Sequence, residues 1–348
     1  MKYGIITYHG IPNFGAILQG FALCYYVRKC GIECEIVNYK CKNLEDRELR
    51  YHKASNGLKN IIKKNIIWPK KVKKIEACSS FQKSMYGRKS YSISNIAEAN
   101  DEYDGFIAGS DMIWNLNVNG NDMTFFLDFV KPSRKKIAYA ASIGDKWNDD
   151  DINTVRRYLT QFDNISVREE DTNNQLNYEM NIKSLCVPDP TMLLEAEIWN
   201  QYVQEVNETN YVLVYFPYDE ILEAARRYAK ETNKKLIVIG EGIKLFNKEL
   251  KQIYSPQEFL SYIYYADAIF TDSYHGILFS IYFNKQFWTN NNGNRIVSLL
   301  EKINLNNCQI HNDMEFSNVI NYRQVNMSID KMRTYGKEYL RRVLKEEN

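Results

Sequence analysis

The stretch that decides the fold runs from Tyr3 to Tyr39, "YGIITYHGIPNFGAILQGFALCYYVRKCGIECEIVNY". An apolar run around Ile5 and Ile6 breaks at His9 and Gly10, and Ile17, Leu18, Phe21, Ala22 and Tyr25 then recur at the spacing of one helical face. Gly31 stops that helix, and "ECEIVNY" begins a second extended segment. Strand, helix and strand in this order predict a β-α-β unit. The loop His9–Gly15 then falls at the carboxyl end of the first strand, with the free N–H groups and positive dipole end of the helix facing whatever binds there. Its glycines do not follow G-x-G-x-x-G, so a dinucleotide site is weakly supported, and a plain strand-to-helix turn is an equal alternative.

Around this unit, composition sets bounds. A chain of 348 residues, 45% hydrophobic and 25% charged, is long enough for two domains. Its net charge of +2, from 45 basic and 43 acidic residues, makes no general electrostatic case for a nucleic-acid partner. The seven cysteines (24, 30, 34, 41, 78, 186, 308) have no C-x-x-C spacing, so they read as reduced thiols without structural zinc. The N-terminus "MKYGIITYHG" lacks the apolar h-region of a signal peptide. The apolar segment around residues 259 to 283 is interrupted by Asp267, Asp272 and His275, which argues against a membrane span and for a soluble chain.

Further along, "LKNIIKKNIIWPKKVKK" sets Leu58, Ile61, Ile62 and Ile66 on one helical face amid lysines. Residues 58–74 could rest weakly on an anionic membrane, or form a basic solvated helix on their own domain. "YDGFIAGSDMIWN" then reads as a strand ending at Gly109, Ser110 and Asp111, and "FFLDFV", "KKIAYAASIG" and "NISVREED" as short strands leaving Ser142, Gly144 and Arg168 at or past strand ends. In a parallel sheet such ends line one crevice. Arg168 could bind an anion there or pair with Glu169 or Asp171.

Two prolines flank Asp189 in "VPDPTMLLEAEIW", and beyond it strand-helix alternation restarts with "YVLVYFPY", "DEILEAARRYAKET" and "KLIVIG". The expectation is α/β, two Rossmann-like domains facing a cleft, as in B-type glycosyltransferases. The domains are placed at 1–195 and 196–348, the second with a closing helix over 328–345. In "TDSYHGILFSIYF", Ser273, Tyr274 and His275 occupy the turn before, or the first residues of, a buried helix. An imidazole there could meet an anion and exchange a proton near neutral pH, or simply cap the turn.

Taken in order, "NFGAILQGFAL", "GSDMIWN", "YAASIG", "SVREED", "DPTMLL", "FTDSYHGILFSI" and "NRIVSLL" resemble the polysaccharide pyruvyl transferases. The resemblance implies a B-type glycosyltransferase-like fold and transfer of pyruvate from phosphoenolpyruvate, as co-substrate without other cofactor or metal, onto two sugar hydroxyls as a ketal of a cell-envelope polysaccharide. It implies His275 as the proton-transfer residue and Arg168, Ser273, Gly276 and Arg295 at the donor. Asn13, Gly15, Ser110, Asp111 and Ser142 are the candidates for a saccharide acceptor, nucleotide-linked, lipid-linked or polymeric. Location is expected in the cytoplasm, or at the inner face of the membrane. One departure stands out: many members carry arginine two residues before the histidine, where this chain has Ser273, so that either Arg168, Arg295 and the helix N-terminus compensate or the donor differs. Two alternatives stay open. One is a B-type glycosyltransferase with a nucleotide-sugar donor, its ribose held near Glu241, and the other is a non-catalytic glycan-binding relative.

Overall fold

The computed structural model describes residues 1–52, 57–144, 146–240, 248–311, 316 and 319–345, with the side chains of 58 and 59 also left aside. Two compact units divide the chain. The first comprises Met1–Leu194 together with the residues from Met332 onward, and the second is Glu195–Lys331.

The first unit holds strands β1 (Lys2–Ile6), β2 (Glu33–Tyr39), β3 (Tyr86–Tyr91), β4 (Gly105–Ala108), β5 (Lys135–Ala141), β6 (Asn164–Val167) and β7 (Leu185–Cys186). They form one sheet in the order β3-β2-β1-β4-β5-β6-β7. Every pairing is parallel. Helical crossovers cover both faces of such a sheet, so its central strands need no polar alternation; β4 and β5 are buried at every position.

The helix after β1 spans Phe14–Lys29 and starts where Asn13 accepts the Ala16 N–H. "FFLDFV" is not a strand. Met123–Phe126 forms a 3-10 turn capped by Asp122, and Leu127 takes a left-handed conformation. Its β-forming aromatics serve packing instead: Phe126 stacks on Trp114 at 5.5 Å, and the Trp147 indole donates to the Trp114 carbonyl at 3.1 Å.

The lysine-rich segment is helical over Gly57–Ile62, passes through a π turn at Lys63–Ile67, and continues as the helix Trp68–Gln82. Its far end is anchored by Gln82, which is fully buried and donates to the Ile17 carbonyl at 2.6 Å.

In the second unit β8 (Tyr211–Tyr215), β9 (Lys235–Ile239), β10 (Ala268–Thr271) and β11 (Gln286–Trp288) make a parallel sheet ordered β11-β10-β8-β9. Tyr228, Phe270, Trp288 and Phe316 pack together, ring centroids 4.9 to 5.7 Å apart. The last helix, Tyr322–Lys345, begins in the second unit and ends in the first.

Candidate functional site

A parallel sheet exposes a crevice where the strand order reverses, because the chain leaves neighbouring strand ends toward opposite faces. In the first unit that point lies between β1 and β4, and in the second between β8 and β10. The expected site residues gather at or near these two ends.

After β4, a Cβ on Gly109 would lie 2.1 Å from the Tyr139 carbonyl oxygen, so only glycine lets the chain pass β5 so closely. The Gly109–Ser110 peptide is cis. Ser110 is fully buried; its N–H donates to Gln19 Oε1 at 3.0 Å and its hydroxyl to the Ala140 carbonyl at 2.6 Å. Asp111, next along, is partly exposed.

Beyond β6, Arg168 carries its guanidinium into a ring of acceptors. Nε meets Glu169 Oε1 at 3.0 Å, Nη1 meets Asp189 Oδ2 at 2.9 Å, and Nη2 meets Ser142 Oγ at 3.0 Å and Asp111 Oδ1 at 3.4 Å. The Arg168 side chain is 2% exposed, Asp189 is at 0%, and Asp111 at 14% is the outermost of the three carboxylates. One cation among three carboxylates gives the cluster a formal charge of −2. Arg168, expected at the donor's anion, thus has its planar fork turned to carboxylates of its own unit. Ser142 donates to Glu169 Oε1 at 2.6 Å, while the other Glu169 oxygen is buried without a hydrogen-bond partner.

Asn13 is exposed, with its side-chain oxygen capping the first helix, and Gly15 is buried in the first turn. Both stand at the β1 end, beside the switch point. Gln19, linking Ser110 to Thr7 Oγ1 at 2.8 Å, and Asp189 were not read as site residues. The proline on each side of Asp189 was the available signal, because it marks a rigid turn.

At the β10 end of the second unit, Ser273 is the N-cap of the helix Tyr274–Tyr282, accepting the Gly276 N–H at 3.2 Å. That is what serine does at the position of the missing arginine. A Cβ on Gly276 would come within 2.6 Å of Thr271 Oγ1, and this hydroxyl already accepts the Ser273 N–H at 3.1 Å. His275 therefore lies in the first helical turn, 6% exposed, its ring edge-on to Tyr274 at 5.5 Å. Arg295 sits over the other aromatic partner, its guanidinium 5.6 Å from the Tyr274 ring. His275, Tyr274 and Arg295 thus form one group.

Asp272 faces the β11 side, where Thr289 Oγ1 and the Asn290 N–H donate to it at 3.0 and 2.7 Å. Burial raises its pKa from the ordinary carboxylate value, and those donors oppose the rise. At the β8 end, Phe216 and Tyr218 expose 47% and 63% of their surface, two rings that strand patterning did not single out. Glu241, the expected ribose contact of the nucleotide-sugar alternative, lies outside the described residues. Among the described residues, no three His, Cys, Asp or Glu side chains are grouped to hold a metal ion.

The family model of polysaccharide pyruvyl transferase matches residues 13–293. The chain belongs to that family. The match spans Asn13, Arg168 and His275 and stops short of Arg295. Comparison with curated proteins finds no match.

Among solved structures, a chain assigned as a UDP-N-acetylglucosamine 2-epimerase of Listeria monocytogenes aligns over 97% of this chain and 94% of its own length, with TM-score 0.53 and 8% identity. The UDP-GlcNAc 2-epimerase of Neisseria meningitidis, bound to UDP-GlcNAc, aligns over 100% and 95% with TM-score 0.50 and 10% identity. Likeness at this identity speaks to fold, and the expected class is borne out: two Rossmann-like α/β domains of the B-type glycosyltransferase kind. No described helix is long and apolar enough to cross a membrane.

Proposed function

We propose that this family member transfers pyruvate from phosphoenolpyruvate onto two hydroxyls of a saccharide, closing a ketal. The observation that carries the reading is the place of His275, in the first turn of the helix that follows β10 at the strand-order reversal of its sheet. A helix N-terminus favours an anion, and imidazole is a side chain able both to give and to take a proton.

His275 protonates the methylene carbon of phosphoenolpyruvate, and the enol double bond's electrons form the new C–H bond, leaving a cation at C2. One sugar hydroxyl adds to C2 and returns a proton to the imidazole. Phosphate then leaves with the C2–O bonding pair, and the second hydroxyl closes the ring. Of the two hydroxyl protons lost, one restores the imidazolium and the other leaves on phosphate.

Arg295 supplies the fixed positive charge that position 273 does not, with Ser273 and Gly276 shaping the turn that presents backbone N–H groups to the donor. A cluster of formal charge −2 suits neutral sugar hydroxyls better than an anionic donor. We therefore assign Asp111 to the acceptor, Ser110, Ser142 and Asn13 to shaping that end with Gly15, and Arg168 to holding Asp111 and Ser142 in place. A phosphoenolpyruvate donor sets the reaction in the cytoplasm.

Incubation with phosphoenolpyruvate and a panel of saccharides, followed by mass spectrometry, tests the reading. A product heavier by pyruvate less one water, with phosphate released in equal amount, is expected. Turnover of a nucleotide sugar in its place would establish the glycosyltransferase alternative.

A further inference from the structure

The lysine-rich helices leave a surface that the reaction does not use. Between residues 57 and 75 stand seven lysines and no carboxylate, in a chain of net charge +2, so the remainder carries net −5. Lys71 pairs with Glu48 at 3.6 Å, and Lys74 lies over the Phe14 ring at 4.5 Å. Lys63, Lys64 and Lys70 have no carboxylate within ion-pair distance among the described residues.

Aliphatic side chains stand among these charges. Ile61, Ile66 and Ile67 expose 58%, 44% and 45% of their surface. In an unbroken α-helix Ile66 would lie about 140° around the axis from Ile61. The π turn, in which the Trp68 N–H reaches back to the Lys63 carbonyl, takes up one extra residue and brings the two to within about 40°. Ile62 and Ile67 are related in the same way. Trp68 is half-buried, its ring edge-on to Tyr51 at 5.6 Å.

We propose that residues 57–74 dock on an anionic phospholipid surface. Lysines bring the segment to the lipid headgroups, and exposed isoleucines enter the boundary beneath them. A nucleic acid would satisfy the lysines, but it gives an isoleucine side chain nothing to replace the water it meets. Lipid satisfies both. The docked helix leads to the proposed acceptor end, because Lys74 covers Phe14 beside Asn13. A lipid-linked saccharide would thus reach that end from the surface; this consequence rests on the proposed reaction, whereas the docking does not.

Sedimentation of the full chain with vesicles tests the proposal without turnover. Phosphatidylcholine vesicles containing phosphatidylglycerol are expected to carry the protein down at low salt and release it at high salt, and pure phosphatidylcholine to leave it in solution. Each lysine near such a surface contributes about a fivefold change in affinity. The combined Lys63→Gln, Lys64→Gln, Lys70→Gln variant should therefore bind roughly a hundredfold more weakly with its thermal unfolding unchanged. Ile66→Ser with Ile67→Ser should weaken binding while keeping its salt dependence. The proposal is overturned if phosphatidylglycerol vesicles do not bind, or bind the triple variant as well as the wild type. Tighter retention by duplex RNA at the same salt, or a solution dimer that Ile66→Ser dissolves, would overturn it too.

Discussion

Arg168 Nη1 lies 2.9 Å from Asp189 Oδ2, and these two side chains, 21 residues apart, are almost wholly buried. The contact ties the end of β6 to the proline-flanked turn after β7. Asp189 Oδ1 meanwhile accepts both the N–H and the hydroxyl of Thr191, at 2.9 and 2.8 Å. Glu169 and Asp111 would still balance the guanidinium without Asp189, but Nη1 and Thr191 would lose their acceptor, and a buried hydrogen bond to a charged group is worth about 1.5–3 kcal/mol. Asp189→Ala should lose stability of that size in urea unfolding; a loss below about 1 kcal/mol would mean that water reaches the guanidinium.

Arg168→Lys keeps the charge but cannot meet Glu169, Asp189 and Ser142 together, because an ammonium has no planar fork. Lower thermal stability, lower kcat and a raised KM for the saccharide are expected, with KM for phosphoenolpyruvate within about twofold of wild type. A selective tenfold rise in that last constant would return Arg168 to the donor's anion.

For His275, substitution separates proton transfer from packing. General acid-base groups contribute about a hundredfold to ten-thousandfold in rate. His275→Gln, similar in reach but unable to exchange a proton near neutral pH, should lose turnover in that range, keep its fold by circular dichroism, and still bind phosphoenolpyruvate in calorimetry. Near-normal turnover would reduce the imidazole to a helix-turn residue.

His9, in the loop after β1, has its ring 5.0 Å from that of Tyr86, and burial pushes its pKa down to about 4. The unfolded chain takes up this proton near pH 6.5, the folded one only near 4. The neutral ring therefore costs nothing above pH 6.5, and stability falls as pH drops from 6.5 toward 4, by at most about 3 kcal/mol. His9→Asn should flatten that part of the curve of unfolding free energy against pH. An unchanged slope would show that His9 is protonated freely in the folded state.

Legibility in the sequence followed how local each cause is. "ECEIVNY" reads as β2 because an apolar strand beside a glycine-stopped helix has no competing conformation. "FFLDFV" misleads: its aromatics favour a strand, but the Asp122 cap and a left-handed Leu127 turn them into the core around Trp114. "YGRKSY" shows almost no apolar pattern, since β3 is the edge strand and exposes Arg88, Lys89 and Ser90. At the site, His275 and Asp111 are legible because they follow apolar strands directly. The partners of Arg168 are less so: Asp111 is 57 positions away and Asp189 is 21, distances that only the sheet order closes. Ser273 reads as a missing charge from sequence and as a helix cap from geometry.

The first unit is completed by residues that arrive after the whole of the second. The helix Tyr322–Lys345 passes Pro188 and Tyr139 so closely that a Cβ on Gly336 would come within 2.8 Å of each, and Arg333 Nε donates to the Met192 carbonyl at 3.0 Å. On the ribosome, at about 5–20 residues per second, the 137 residues of Glu195–Lys331 take on the order of 7 to 27 s to emerge. Throughout that interval the nascent sheet that begins at β1 waits with its Tyr139 and Pro188 surface open to chaperones, and the contiguous second unit is free to close before it.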